Sequence, residues 1–212
     1  MSGSKPSLLG CTARNAQSGL SLVIVMMILV IVSLLGVSAS QIALMGERGA
    51  RNDRDTQLAW QSAEAALVDA EFDIRGTATT PARSLTIFGM APGGQVDPNQ
   101  FITDCGGAGT QQGLCNALLA DPTLKPAWLS VDFTDSSGSA KTVQFGTFTG
   151  RSFASGVGGA SAKAPRYVIE ALQDPIGRDR SSPVIQYVYR VTAMGFGPRD
   201  DIQSVVQMIY RN

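Results

Sequence analysis

Histidine is absent from the 212-residue chain, and charge is scarce. Without imidazole, the chain has no His general base, no Ser-His or Cys-His triad and no imidazole metal ligand. Only 16% of the residues are charged, and 17 cations balance 17 anions, so no basic field attracts nucleic acid. No phosphate-binding GxxxxGK[ST] loop occurs. The composition predicts a protein that is not an enzyme, holds no metal or cofactor and does not bind nucleic acid directly.

Apolar sequence, in contrast, is concentrated near the N-terminus. No charged residue lies between Arg14 and Glu47, and the sequence from Leu20 reads LSLVIVMMILVIVSLLGVSASQIALM. A run of roughly 20 or more such residues is long enough to cross a bilayer as a helix. Lys5 and Arg14 precede the run, so the positive-inside rule leaves the N-terminus in the cytoplasm and exports the rest.

Three interpretations of this segment compete. A cleaved secretory signal has an apolar region of about 7–15 residues, and this run is longer. A plain signal anchor that tethers an exported domain is the default for any N-terminal span. A prepilin-like signal is cut on the cytoplasmic side, before the apolar run, and Gly19 stands at that boundary.

The sequence remains helical beyond the apolar run. Alanines recur at spacings of three and four, which places them on one side of a helix; this alanine face comprises Ala59, Ala63, Ala66 and Ala70. The region is rich in Ala, Leu, Gln and Glu, which are good helix formers. We therefore predict a nearly continuous helix from Leu20 to about Arg75, on the order of 80 Å long at 1.5 Å per residue.

These segments resemble a known family. QSGLSLVIVMMILVIVSLLGVSAS, ERGARNDRD and LAWQSAEAALVDAE are similar to the N-terminal region of PilX-type minor pilins of bacterial type IVa pili. PRYVIE and YVYRVTAMGFGPRDDIQSVVQMIYR resemble the end of that family. The resemblance implies cleavage between Gly19 and Leu20, with N-methylation of Leu20. It divides the chain into a cytoplasmic leader (1–19), a transmembrane assembly helix (20–46), an amphipathic half-helix (47–75) and an exported head (76–212).

The resemblance implies an α+β fold of the type IV pilin kind, in which the long helix packs on a small antiparallel sheet. Alternating and β-branched segments predict the strands; they are Leu129 to Phe133, Val143 to Phe148, Arg166 to Leu172, Val184 to Phe196 and Ile202 to Tyr210. Gly195 and Gly197 to Asp201 predict the last hairpin turn. The Gly/Ser/Ala-rich segment from Thr149 to Pro165 predicts a mobile loop, with a loop ordered by a partner as the alternative.

The fifth residue after the predicted cleavage is Ile24, where most pilins carry a glutamate. A lone carboxylate inside a membrane is costly, and pilins tolerate it because it pairs with the cationic N-terminus of a neighbouring subunit. A subunit at the tip of the fibre has no subunit above it on which to dock. Ile24 therefore indicates a position at or near the tip.

Cys11 would leave with the leader, and Cys105 and Cys115 would remain as an even pair in an exported domain. Such a pair favours a disulfide, which would close a glycine-rich loop. A redox or metal site is the alternative, but the spacing is not CxxC and no histidine is present.

The resulting interpretation is a minor pilin that helps to prime pilus assembly by helix packing and head docking. Ser33 and Gly36 would permit close approach of helices. The resemblance implies as partners other minor pilins, the major pilin and a large tip-associated adhesin, with twitching motility and cell adhesion as indirect roles. It places the chain in the inner membrane with a periplasmic head, and then in the pilus. The rivals are a K-like pseudopilin of type II secretion and a membrane-anchored periplasmic binding or sensor domain.

Overall fold

A computed structural model describes residues 20–76, 82–103, 105–106, 108–116, 125–156, 158–174 and 186–211. The chain divides between Ala50 and Arg51 into two compact units. The predicted leader, 1–19, lies outside the described residues.

Helix α1 (Leu20–Arg75) is continuous over 56 residues, as the sequence predicts. No proline interrupts it, because the first proline after Leu20 is Pro81. Its side chains from Ser21 to Ala50 are all exposed. Among the described residues it is the one helix that is long and apolar enough to cross a membrane.

The head contains one sheet of five strands, which are β1 (Leu114–Asn116), β2 (Val143–Gln144), β3 (Arg166–Gln173), β4 (Tyr187–Phe196) and β5 (Gln203–Arg211). The order is β1-β3-β4-β5, and β2 pairs with β3. The long strands β3, β4 and β5 are antiparallel, whereas the three-residue β1 joins β3 in parallel. The predicted α+β pilin-like fold is confirmed, and the sheet is mixed because of β1.

One face of the sheet packs against the second half of α1. Alternate residues of β3 and β4 point toward the helix and form a single buried cluster with it; the strand members are Tyr167, Ile169, Tyr189, Val191 and Ala193, and the helix members are Ala66, Ala70 and Ile74. Phe88 joins this cluster edge-on to Tyr189, with ring centroids 5.3 Å apart. The main core thus lies between α1 and the sheet.

The turn between β4 and β5 is shorter than predicted. It begins at Gly197, whose N–H donates to the Ile202 carbonyl at 2.8 Å. Gly195 lies inside β4, where a Cβ would overlap the backbone oxygen of Ala59 and the backbone nitrogen of Ala63. Gly195 is therefore needed for close contact between strand and helix, and its assignment to the turn is wrong.

The predicted strand from Leu129 to Phe133 is also wrong. Its first part is in the short helix α3 (Ala127–Ser130). The carboxylates of Asp132 and Asp135 then accept the backbone N–H groups of Thr134 and Ser137, at 2.7 and 2.8 Å. These Asx turns bend the backbone out of the extended conformation that a strand requires. A further short helix, α2 (Ala82–Thr86), lies earlier in the head.

The strand predicted over Val143 to Phe148 is reduced to the two residues of β2. Gly146 has a positive φ of 82°, and its N–H donates to Asp69 on α1 at 2.7 Å, so the ladder ends there. The segment predicted as a mobile loop begins at Thr149, which is buried. Farther on, Ser155 and Ser161 form an isolated bridge. That bridge lies within the segment itself, whereas the Thr149 hydroxyl donates to Asp69 of α1 at 2.6 Å and the Ala162 N–H donates to the Gly197 carbonyl at 2.7 Å. The segment is therefore held to the head near both of its ends.

Candidate functional site

The apolar part of α1 carries the residues predicted to act in assembly. Gly19 lies outside the described residues, and Leu20 is the first residue of the helix. Ile24 lies one turn later and is 51% exposed, among neighbours that are equally apolar and exposed. Nothing charged occurs along α1 before Glu47. This segment presents an apolar surface on every side, which suits lipid or the apolar helices of other subunits.

Three serine hydroxyls of this segment, those of Ser33, Ser38 and Ser40, bond to carbonyls of the helix itself. The hydroxyl of Ser33 donates to the Leu29 carbonyl at 2.7 Å, and that of Ser38 donates to the Leu34 carbonyl at 3.0 Å. Gly36 has open space around it. These three hydroxyl donors are therefore paired when the segment enters an apolar environment, and its small residues leave room for a second helix.

The alanine face is the surface of α1 that meets the sheet. Ala59, Ala63, Ala66 and Ala70 are all fully buried. Their methyl groups are small enough for the backbone of β4 to come into contact with that of the helix. Trp60 lies at the side of this face, next to β5, and is 50% exposed.

Two buried carboxylates continue the alanine face toward the end of α1. Asp69 accepts hydrogen bonds from the Gly146 N–H at 2.7 Å and the Thr149 hydroxyl at 2.6 Å. The Arg151 guanidinium lies 3.5 Å from the same carboxylate. Asp69 thus ties α1 to the loop that follows β2.

Asp73 forms a second buried tie, between α1, α2 and β3. It accepts the phenol hydrogen of Tyr167 at 3.0 Å and lies 3.4 Å from the Arg83 guanidinium. Burial raises the pKa of Asp73 to about 6, against the opposing effects of Arg83 and of the Tyr167 hydrogen bond. Burial also raises the pKa of Tyr167, so the phenol stays protonated and remains a donor.

Arg83 is less completely paired than Asp73. It donates to the Gln112 carbonyl at 3.3 Å and stacks 3.8 Å from the ring centroid of Phe148. Its Nε and Nη2 atoms are buried and have no hydrogen-bond partner among the described residues. The Asp73 carboxylate therefore offsets the free-energy cost of burying this cation.

This polar junction was not among the features predicted from the sequence. The signal was present, since Asp69 and Asp73 are spaced three and seven residues after Ala66 and therefore share its side of the helix. Two acids on a buried face require partners in the head. Arg83 is near Asp73 in sequence, but Thr149 and Tyr167 lie 80 and 94 residues from the carboxylates that they contact.

The predicted disulfide is present between Cys105 and Cys115. Both residues are fully buried, in a second cluster with Ala127, Phe133 and Val168. Cys115 belongs to β1 and lies in register with Glu170 of β3. The bridge therefore lies on the face of the sheet opposite α1 and ties β1 to the loop that precedes it.

Removal of the disulfide, in a Cys105→Ser/Cys115→Ser chain, is expected to lower the free energy of unfolding by about 2–3 kcal/mol, because the cross-link closes a loop of about ten residues. Denaturant unfolding of the detergent-solubilised chain measures this. Cys11→Ser is the matched control and should be neutral. Equal stability of the double variant and the parent would contradict the assignment of a structural role.

Comparison with known proteins gives two matches, one over the long helix and one over the part of the head that contains the sheet. A family model described as PilX N-terminal matches residues 18–68, and one described as Type IV pilus assembly protein PilX C-term matches residues 111–212. The first contains the apolar part of α1 and most of the alanine face, and the second contains all five strands. No curated protein and no solved structure matches the chain. Among the described residues, no group of three or more metal-binding side chains is present.

Proposed function

Because the chain belongs to the PilX family of type IV pilus assembly proteins, we propose that this minor pilin helps to initiate assembly and occupies a place at or near the pilus tip. The family is structural, and the proposed action is binding rather than catalysis. The observation that carries the proposal is the apolar part of α1, which is exposed on every side and lacks a charge at Ile24.

The first step in the proposed mechanism is export through the prepilin route. Cleavage after Gly19 would remove Lys5 and Arg14 and leave Leu20 as a methylated N-terminus. Residues 20–46 would then anchor the chain in the inner membrane, with the head in the periplasm. Removal of the charged leader leaves a helix end that can pass from lipid into the core of a fibre.

Helix packing then brings subunits together. In a bilayer, helices associate by van der Waals contact at small residues, and Ser33 and Gly36 provide such a place. Heads on neighbouring helices would dock, and the complex would template addition of major pilin from below. The proposed partners are other minor pilins, the major pilin and a large tip-associated adhesin. Effects on twitching and adhesion would follow from the number of pili.

The tip position rests on Ile24. A subunit that joins beneath others uses its fifth-position carboxylate to pair with the N-terminus of the subunit above. Ile24 offers no such charge. The chain is therefore suited to be the subunit above, with its own N-terminal amine free to pair with a glutamate that arrives from below.

Immunogold labelling of the full chain tests this position. We expect gold at one end of the fibre in wild type, and additional gold along the shaft for Ile24→Glu, because the new carboxylate restores the recruiting contact. Ile24→Leu, which adds no charge, is the control and should label like wild type. Labelling of wild-type fibres along their whole length would overturn the tip position while leaving membership of the pilus intact.

A further inference from the structure

One edge of the sheet has no strand beside it among the described residues. β5 is last in the strand order and pairs with β4 alone. In an antiparallel ladder, alternate residues direct their N–H and C=O groups to the free side, which amounts to about four of the nine residues of β5. These backbone groups require water or another strand as a partner.

Apart from Arg211 at its last position, the edge also lacks the features that usually prevent strand pairing. No proline or lysine occurs in QSVVQMIYR, and the register with β4 runs without a bulge from Phe196–Gln203 to Val188–Arg211. Natural sheets normally protect long edges with such features. On the face away from α1, Val205 is 46% exposed and Ile209 is 61% exposed. A second strand placed here would cover both side chains.

An open groove of about 390 Å³ lies beside this edge, between α1 and β5. Its apolar lining comes from Trp60 and Leu67 of the helix and from Val206 of the strand, and it reaches the outer edge of β5 at Val205 and Gln207. The Trp60 indole is held in place because its Nε1 donates to Glu64 at 2.6 Å. Glu64 is exposed and has no cationic partner among the described residues. The groove therefore combines an aromatic anchor with one unpaired negative charge.

We propose that the β5 edge and this groove receive an extended strand of another pilus component, which has apolar side chains at alternate positions and a lysine or arginine opposite Glu64. The free backbone groups select a strand, since each would gain a hydrogen bond from an extended chain. Val205 and Ile209 would contact apolar side chains at alternate positions of the added strand. Glu64 would pair with its lysine or arginine. The inference rests on the proposed function and assigns the face of the head that makes the contact.

The test uses the full chain expressed in piliated cells from which the wild-type gene has been deleted. The edge variant Val205→Lys/Ile209→Lys places charge along the docking strand, and Glu64→Lys reverses the charge at an exposed helix position. Leu129→Lys, on α3 and 54% exposed, is the matched control. In parallel, photo-crosslinkers replace Gln207 and Leu129, and mass spectrometry identifies the attached peptide. Protein level and the disulfide are measured for each variant.

We expect about tenfold fewer pili for the edge variant and for Glu64→Lys, with the control unchanged, since tenfold corresponds to the loss of one good contact. The crosslinker at Gln207 should attach to an extended segment of another pilus component. If the edge variant is unstable, Glu64→Lys decides the piliation test. Normal piliation of Glu64→Lys, or attachment at Gln207 to this same chain or to a second copy of it, would overturn the docking proposal. Normal piliation of the deletion strain itself would instead overturn the proposed function.

Discussion

Gly195→Ala is expected to separate the sheet from α1 and to destabilise the head by about 3 kcal/mol, at the upper end of typical overpacking costs. The added Cβ would occupy the space held by the backbone of Ala59 and Ala63. These atoms belong to a hydrogen-bonded helix and cannot rotate away as a flexible side chain can. Relief therefore requires the whole helix to move off the sheet, which exposes the main core.

Gly138→Ala is the matched control, because Gly138 has no atom within 4 Å of the position that a Cβ would take. Denaturant unfolding of both variants in the same detergent measures the difference, and limited proteolysis reports release of the head from α1. We expect the control to behave like the parent chain. Equal stability of Gly195→Ala and Gly138→Ala would show that β4 does not lie against the alanine face.

The second large effect is expected at the buried junction. Arg83→Met should cost about 3–5 kcal/mol at pH 7, because it leaves the Asp73 carboxylate buried without a cation. Adding Asp73→Asn should recover most of this loss, since the amide oxygen can still accept the hydrogen bond of Tyr167. The pair of variants forms a double-mutant cycle. A double variant as unstable as Arg83→Met alone would contradict the pairing.

The same carboxylate should make stability depend on pH. Its pKa rises from 3.8 to about 6 on burial, so the folded chain binds this proton more tightly than the unfolded chain does. The stabilisation is fully present below pH 3.8 and is lost as the pH rises through about 6. Asp73→Asn removes the titration, and the difference in unfolding free energy between wild type and Asp73→Asn over pH 4–7 isolates it. A difference that does not change with pH would refute the raised pKa.

Much of the fold was predictable because it follows from short-range patterns. The uncharged run before Glu47 and the spacing of the alanine face define α1 without any tertiary information. The β-branched segments predict β3, β4 and β5 equally directly. The predicted boundaries differ from the observed ones by only a few residues. The pair Cys105 and Cys115 was predictable from composition and export alone.

The failures share a different origin, in contacts between distant residues. Gly146 ends β2 because its N–H is used by Asp69, 77 residues earlier. Gly195 resembles a turn residue in sequence, and only the approach of α1 shows why it lies within a strand. Local sequence propensity cannot predict such features, because each depends on a contact with an atom of another structural element.

Family membership favours the pilus over the rival interpretations, a pseudopilin and an anchored sensor domain, since both family models describe PilX proteins. The proposed sites nevertheless differ in their support. The alanine face and the disulfide are features of the structure itself. Processing at Gly19 and methylation of Leu20 are proposals, and mass measurement of the protein from cells tests them.

Intact mass of the membrane-extracted protein, from cells with and without the prepilin peptidase, tests the central claim most directly. The account predicts a peptidase-dependent loss of residues 1–19, including Cys11, and one added methyl group on Leu20. That result would establish the pilin export route on which helix packing and tip placement depend. An uncut chain that retains Cys11 in both strains would contradict the account and leave a membrane-anchored domain in its place.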